Sequence, residues 1–221
     1  MSLREIEFGS LLSYCSRKVN EEKFNEARKI MQFVKSDSVV KTGNDPKGML
    51  MSQWIANYIT KRMDQLPFNY FFKVDSALVP IPSSSLQVKD ALWAPDRIAL
   101  ALEAKGLGKR IKILKRAYPV NRSSTSRPSD RPLPQAHHDS LCVLKSFYEF
   151  SDIILIDDVI TRGHTIMGAA WRLADIYPNV KIVAFAAVRT VSNPSEFKNW
   201  YDPVKGQVKY REQSEDTIRR P

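Results

Sequence analysis

The chain predicts an α/β fold: a central, mainly parallel sheet with helices on both faces. Three observations lead there. Residues 153–156 and 180–188 are aliphatic runs without the alternation of a half-exposed strand, so both faces of each are covered. Between them, residues 165–177 place Ile166, Ala169, Ala170, Leu173, Ala174 and Ile176 on one helical side, and strand–helix–strand in that order makes a right-handed parallel crossover. The first run also ends in two adjacent carboxylates, Asp157 and Asp158, followed by a turn with one glycine. In open parallel sheets that position, outside the carboxyl end of a strand, is where ligands bind.

Taken along the chain, residues 1 to about 70 read as a helical segment. Phe24, Ala27, Ile30, Met31 and Val34 recur at helical spacing behind Asn20, a suitable cap. Residues 41–48, with Gly43, Asn44, Asp45, Pro46 and Gly48, read as a loop. Leu50, Trp54, Ile55, Tyr58 and Ile59 resume the helical pattern. The α/β core spans residues 71–190. Residues 77–79 are a short buried strand entering Pro80-Ile81-Pro82-Ser83-Ser84-Ser85. Residues 91–105 are a helix with Pro95 early, where a missing amide costs little, and Gly106 and Gly108 at its end. Residues 111–114 and 141–144 are further strand candidates. Residues 118–138 hold four prolines, four serines and three arginines with no apolar period, which predicts a long mobile loop. The core's mobile basic stretch is therefore set at 115–138. Residues 191–221 read as a polar tail with a frayed end.

Composition bounds the function classes. No apolar run approaches the ~20 residues of a membrane helix. Arg4, Glu5 and Glu7 interrupt the start, so no secretory core is visible and a cytoplasmic location is expected. Two cysteines, Cys15 and Cys142, with three histidines do not make a structural zinc knuckle, and both thiols are read as reduced. The net charge of +10 is concentrated. Residues 105–131 carry Lys105, Lys109, Arg110, Lys112, Lys115, Arg116, Arg122, Arg127 and Arg131 against Asp130 alone. Such a patch attracts a pyrophosphate, a nucleotide or a nucleic-acid backbone. No aromatic interleaves the arginines, which weakens a single-strand stacking role.

The chemistry follows from the stretch after residue 156. A helix starting near Thr165 offers unpaired amides and the positive end of its dipole to an anion. Gly163 lets the backbone come close, and Thr161 and Thr165 can donate hydroxyl hydrogen bonds. Asp157 and Asp158 can accept from sugar hydroxyls or from water on magnesium. Together these residues suit a ligand with both a phosphate and a cis-diol. Ser83, Ser84 and Ser85 lack a nucleophile elbow and a placed His–Asp pair, so serine hydrolase chemistry is not expected. His137 and His138 fall in the loop, where solvation is the default and proton transfer or phosphate pairing the alternatives. Trp54, Tyr58 and Trp93 read as core. Trp200 and Tyr201 either line an acceptor pocket or pack the tail.

Asp-Asp-Val-Ile-Thr-Arg-Gly-His-Thr after an aliphatic run resembles the phosphoribosyl pyrophosphate (PRPP) motif of type I phosphoribosyltransferases. With Val79-Pro80-Ile81-Pro82 and the basic serine-rich stretch, it looks most like the competence-associated ComF group, over roughly residues 75–190. The resemblance implies a type I phosphoribosyltransferase fold with an N-terminal helical hood. It implies Mg²⁺-dependent transfer of 5-phosphoribosyl from PRPP to a nitrogen acceptor, with release of pyrophosphate. On that basis Asp157 and Asp158 contact the ribose and, through water, magnesium. Thr161, Arg162, Gly163, His164 and Thr165 hold the 5′-phosphate, His164 by its amide more than its ring. Pro82, Ser83, Ser84 and Ser85 hold pyrophosphate. Lys115, Arg116, Arg122, Arg127 and Arg131 belong to a loop that closes over the site. A homodimer is the family's habit. The alternative is a PRPP-sensing or nucleic-acid-associated protein that keeps the pocket without turnover. Three departures narrow the resemblance. Arg162 stands where Thr or Ser is usual. Thr161 stands where the hypoxanthine-guanine branch has an acid, which argues against 6-oxopurine salvage. The four-cysteine zinc module common in ComF-type proteins is absent from the sequence.

Overall fold

The computed structural model describes residues 3–17, 19–42, 45–86, 91–121, 131–146 and 148–221. In chain order, β1 (Glu5–Cys15) leads to α1 (Glu22–Ser36), the hairpin β2 (Val39–Thr42) and β3 (Asp45–Leu50), and α2 (Met51–Lys61). Then come β4 (Ala77–Pro80), α3 (Ala94–Glu103), β5 (Lys109–Arg110), β6 (Leu114–Arg116), α4 (Pro134–Asp139) and β7 (Leu141–Val143). The chain continues through β8 (Asp152–Ile160), α5 (His164–Ala174), β9 (Lys181–Val191), β10 (Tyr201–Arg211) and β11 (Asp216–Arg220).

Among the described residues, seven strands form one sheet in the order β11-β10-β1-β9-β8-β4-β5. The run from β1 to β5 is parallel throughout, while β10 and β11 add antiparallel strands at one edge. The α/β class and the mainly parallel sheet are thus as the aliphatic runs require. Alternate residues of the central strands serve two cores. Ile153 and Leu155 of β8, with Ala184 and Ala186 of β9, pack on the side of α5. Ile154 and Ile156, with Val183, Phe185 and Ala187, pack on the side of α1, α2 and α3. A strand feeding two apolar layers has no polar face, which is why the alternation is missing from its sequence. Asp37 ties the α1 end to the α2 start: its Oδ1 accepts from the Ser52 amide at 2.8 Å, as a cap supplied from outside the helix.

Several expectations need correction. Residues 1 to about 70 are not helical from the start, because β1 lies between β9 and β10 in the sheet. Its opening Glu5-Ile6-Glu7-Phe8 does alternate, with Ile6 and Phe8 buried. Residues 41–48 are not simply a loop, since β2 and β3 pair as a hairpin. The stretch 191–221 is not a frayed tail, because β10 and β11 extend the sheet. Val204, Val208 and Tyr210 alternate there with Lys205, Gln207 and Lys209, a pattern of period two that a sheet with one solvated face calls for. Within the stretch read as a mobile loop, Lys115 and Arg116 are part of β6, which pairs with β7, and residues 134–139 are helical. No helix among the described residues is long and apolar enough to cross a membrane. Cys15 and Cys142 are both free thiols.

Candidate functional site

The parallel strands β1, β9, β8 and β4 all point their carboxyl ends the same way, so the residues after each converge. From β4 the chain moves outward through α3 to β5, then returns on the other side of β4 as β8 and leaves through α5 on the opposite face. That reversal opens a crevice between the ends of β4 and β8. It is a cleft of about 670 Å³, and its walls include Ile81, Pro82, Ser83 and Ser84 after β4, and Asp157, Asp158, Thr161, Arg162 and Thr165 at and after the end of β8. A smaller recess of about 80 Å³ sits inside the turn, against Asp157 and residues Thr161, Arg162, Gly163, His164 and Thr165. Arg131 borders both spaces, and its buried Nε has no hydrogen-bond partner among the described residues.

The two acids stand side by side, with one oxygen of each engaged locally. Asp157 Oδ1 accepts from the Asp158 amide at 2.9 Å, and Asp158 Oδ1 accepts from the Val159 amide at 2.8 Å. Burial, then the neighbouring Asp158 charge, pushes the Asp157 carboxyl well above the usual carboxylate range, against the pull of Lys35 at the end of α1. A cationic ligand group or metal ion placed between them would relieve that repulsion.

The turn is built on Gly163, which has φ +91° and starts α5. Its Cα sits so close to β10 that a Cβ would lie 2.7 Å from both Cγ atoms of Val208. The last strand braces the same turn from outside. Thr217 Oγ1 donates to the Arg162 carbonyl at 2.8 Å, and Asp216 Oδ1 lies 2.6 Å from His164 Nε2. His164 Nδ1 faces the Pro132 carbonyl at 2.9 Å, next to Arg131. The His164 ring is therefore spent on structure, and its amide is what the turn can offer a ligand. Arg162, the atypical residue, borders the cleft while its Nη1 lies 3.7 Å from Asp216 Oδ2, a half-exposed pair of small energy.

The other candidates separate clearly. Arg116 is 7% exposed and lies in β6, not in an open loop: its Nε donates to the Ser83 carbonyl at 3.0 Å, Nη2 reaches the Pro82 carbonyl at 3.4 Å, and Nη1 donates to Ser140 Oγ. Burial lowers it to about 10, so it remains a cation at neutral pH. Ser85 and Lys115 do not line the cleft; Ser85 caps its own turn through Ser83 Oγ, and Lys115 is exposed. Arg122 and Arg127 lie outside the described residues. In the basic segment Arg110 and Lys112 both pair with Asp96.

No protein-family model matches this chain, and no curated protein does.

His137, read as a solvated loop residue, is instead buried in the cleft wall, and residues that the sequence did not single out complete it. Tyr14 lies at the end of β1 and Ser16 follows it, Thr190 lies at the end of β9 and Ser192 follows it, and Lys35 comes from α1. Trp93, read as core, is half-buried at the rim, its Nε1 donating to the Ile81 carbonyl at 2.8 Å. Trp200 and Tyr201 pack on Trp54 and Tyr58. Thr190 and Ser192 carried a usable signal, being polar residues that end an aliphatic run as Asp157 does. Tyr14 and Ser16 were hidden because β1 itself was unread.

Proposed function

We propose that the cleft binds PRPP and transfers its 5-phosphoribosyl group to a nitrogen acceptor, as in the type I phosphoribosyltransferase fold that the motif resembles. One observation carries the reading: a carboxylate pair at the end of β8 lies beside a glycine-anchored turn at the start of α5, and both face the Pro82–Ser84 turn across one cleft. In this arrangement the amides of Gly163, His164 and Thr165 and the hydroxyls of Thr161 and Thr165 hold the 5′-phosphate. Asp157 and Asp158 accept from the ribose hydroxyls. Pyrophosphate sits against Pro82, Ser83 and Ser84, with Arg131 near. As the C1′–oxygen bond breaks, the electron pair leaves with pyrophosphate, and the acceptor nitrogen bonds C1′ and gives up a proton. The ribose gains positive character in the transition state, and the two acids stabilise it. The acceptor lies against Tyr14, Ser16, Thr190 and Ser192, with α1 and its Lys35 as the hood.

Magnesium fits this donor set. It is commonly held by one or two carboxylates together with water and substrate phosphates, so an adjacent pair of acids, each with one oxygen engaged by a backbone amide, suffices. When bound it neutralises phosphate charge; Asp157 and Asp158 are the residues that would hold it.

Calorimetric titration of PRPP with and without Mg²⁺ tests the reading, with Asp157→Asn/Asp158→Asn as control. Binding that needs the acids, together with pyrophosphate release in the presence of a nitrogenous base, is the expected result. Binding with no turnover against a panel of bases would favour a PRPP sensor. No binding at all would end both versions.

A further inference from the structure

His137 stands out among the cleft's walls. It is 2% exposed, its Nδ1 is buried without a hydrogen-bond partner among the described residues, and its Nε2 lies 3.4 Å from Thr165 Oγ1. The helix that carries it is seated hard on α5. A Cβ at Gly168 would meet the Pro134 carbonyl oxygen and lie 2.6 Å from His137 Cβ, so only glycine permits that approach. His137 is also joined to the opposite wall. Its carbonyl accepts from Ser140 Oγ at 2.9 Å, Ser140 Oγ accepts from Arg116, and Arg116 holds the Pro82 and Ser83 carbonyls. A continuous path thus runs from one anion-binding turn to the other: Pro82–Ser83, Arg116, Ser140, His137, Thr165.

The geometry points to His137 as a positioning residue that orients the Thr165 hydroxyl and couples the two turns, so that an anion in one strengthens binding in the other. The inference rests on the phosphoribosyltransferase reading of the cleft. Its chemistry depends on the tautomer. With the proton on Nε2, His137 donates to Thr165 Oγ1, and the threonine's own proton is free to point at a phosphate. With the proton on Nδ1, the Thr165 hydroxyl would donate to Nε2 and present only lone pairs to the anion. A bound phosphate therefore selects the Nε2–H form. Burial, then the charges of Arg116 and His164, lowers the His137 pKa to about 3, so the ring stays neutral across the working range and the tautomer is the only variable. Coupling through such a path is reciprocal: each ligand changes the other's affinity by the same factor.

The test is calorimetry of pyrophosphate binding with and without saturating ribose 5-phosphate, in the full chain. It is run on the parent protein, His137→Leu, His137→Gln and Ser140→Ala, each checked for folding by urea unfolding. The expected result is a coupling factor at least about fivefold more favourable in the parent than in His137→Leu and Ser140→Ala. His137→Gln, which keeps a side-chain donor, recovers part of it. Side-chain ¹⁵N resonances of the three histidines, assigned with His137→Gln, report the Nε2–H tautomer when inorganic phosphate is bound. If both ligands bind the parent but the coupling survives in His137→Leu, or the ring holds the Nδ1–H form, the coupling idea falls and the cleft reading stands. If neither ligand binds the parent, both fall.

Discussion

Gly163→Ala is the sharpest perturbation of the turn proposed to hold phosphate, and its size can be worked out in two parts. The first is conformational. At φ +91° an L-residue sits in left-handed territory, which costs about 1–2 kcal/mol. The second is steric. The new Cβ would lie 2.7 Å from both Val208 methyls, and overpacking of this kind costs about 1–3 kcal/mol. The sum, about 2–5 kcal/mol, is a large share of the ~5–15 kcal/mol that holds a typical domain folded. Gly106 supplies the control for the first part alone: it has φ +71° and nothing within 4 Å of its Cβ position, so Gly106→Ala is expected to cost about 1–2 kcal/mol. Urea unfolding at constant m-value measures each variant. The steric part is isolated by a cycle with Val208→Ala, which removes the obstructing methyls. Gly163→Ala/Val208→Ala should be less destabilised than the sum of its parents by about 1–3 kcal/mol. The reasoning is refuted if Gly163→Ala costs no more than Gly106→Ala, or if the cycle is additive within about 0.5 kcal/mol.

Asp157→Asn should stabilise the fold while abolishing PRPP binding. The folded pKa of Asp157 is raised, so the parent loses stability as pH rises through the range above 3.8, and the asparagine does not. A gain of about 1 kcal/mol at neutral pH, or about 2–4 °C in melting temperature, should shrink towards pH 4 in a thermal scan. Asp216 behaves oppositely. Burial alone would raise its pKa, but hydrogen bonds from His164 and the Thr217 amide, with the charge of Arg162, hold it below the usual range. Its contribution is therefore present above 3.8 and lost as pH falls through the folded value. Asp216→Asn should cost about 1–3 kcal/mol at neutral pH by urea unfolding and weaken inorganic phosphate binding. His137, lowered from 6.5 to about 3, makes the parent lose stability as pH falls below 6.5, by up to ~1.4 kcal/mol per pH unit. In His137→Gln that contribution to the acid-side slope should vanish in unfolding curves taken between pH 6.5 and 4.5. Gly168→Ala should push α4 off α5, costing about 1–3 kcal/mol and weakening phosphate binding more than substitution of the exposed Lys115.

What the sequence made legible is local. The aliphatic runs of β8 and β9 gave the class because strands covered on both faces need no polar positions. The order of acids, spacer, glycine and helix marked the end of β8, the turn on Gly163 and the start of α5, because each residue acts on neighbours within nine positions. What stayed hidden depends on pairing over long separations. Glu5-Ile6-Glu7-Phe8 alternates as a strand should, yet its place beside β9, about 180 residues away in sequence, is settled only by the sheet. Arg116 shows the same limit for charge. A basic run with serines and prolines reads as a solvated loop, whereas the carbonyls of Pro82 and Ser83 and the Ser140 hydroxyl draw this one guanidinium inside.

The brace on the anion turn follows from the same distinction. A left-handed glycine and a row of unpaired helix amides are unfavourable by themselves, and such a turn keeps its shape only when its surroundings hold it. Here the support comes from β10 and β11: Val208 fills the space against Gly163, Thr217 fixes the Arg162 carbonyl, and Asp216 holds the His164 ring. Pre-positioned amides bind an anion without first being ordered, so in the proposed reading these contacts act on affinity although none of the three side chains has to touch the ligand. In the proposed reading, the motif at residues 157–165 specifies which groups meet a sugar phosphate. How firmly they are held is specified some fifty residues later, in a segment whose composition alone suggests a loose end.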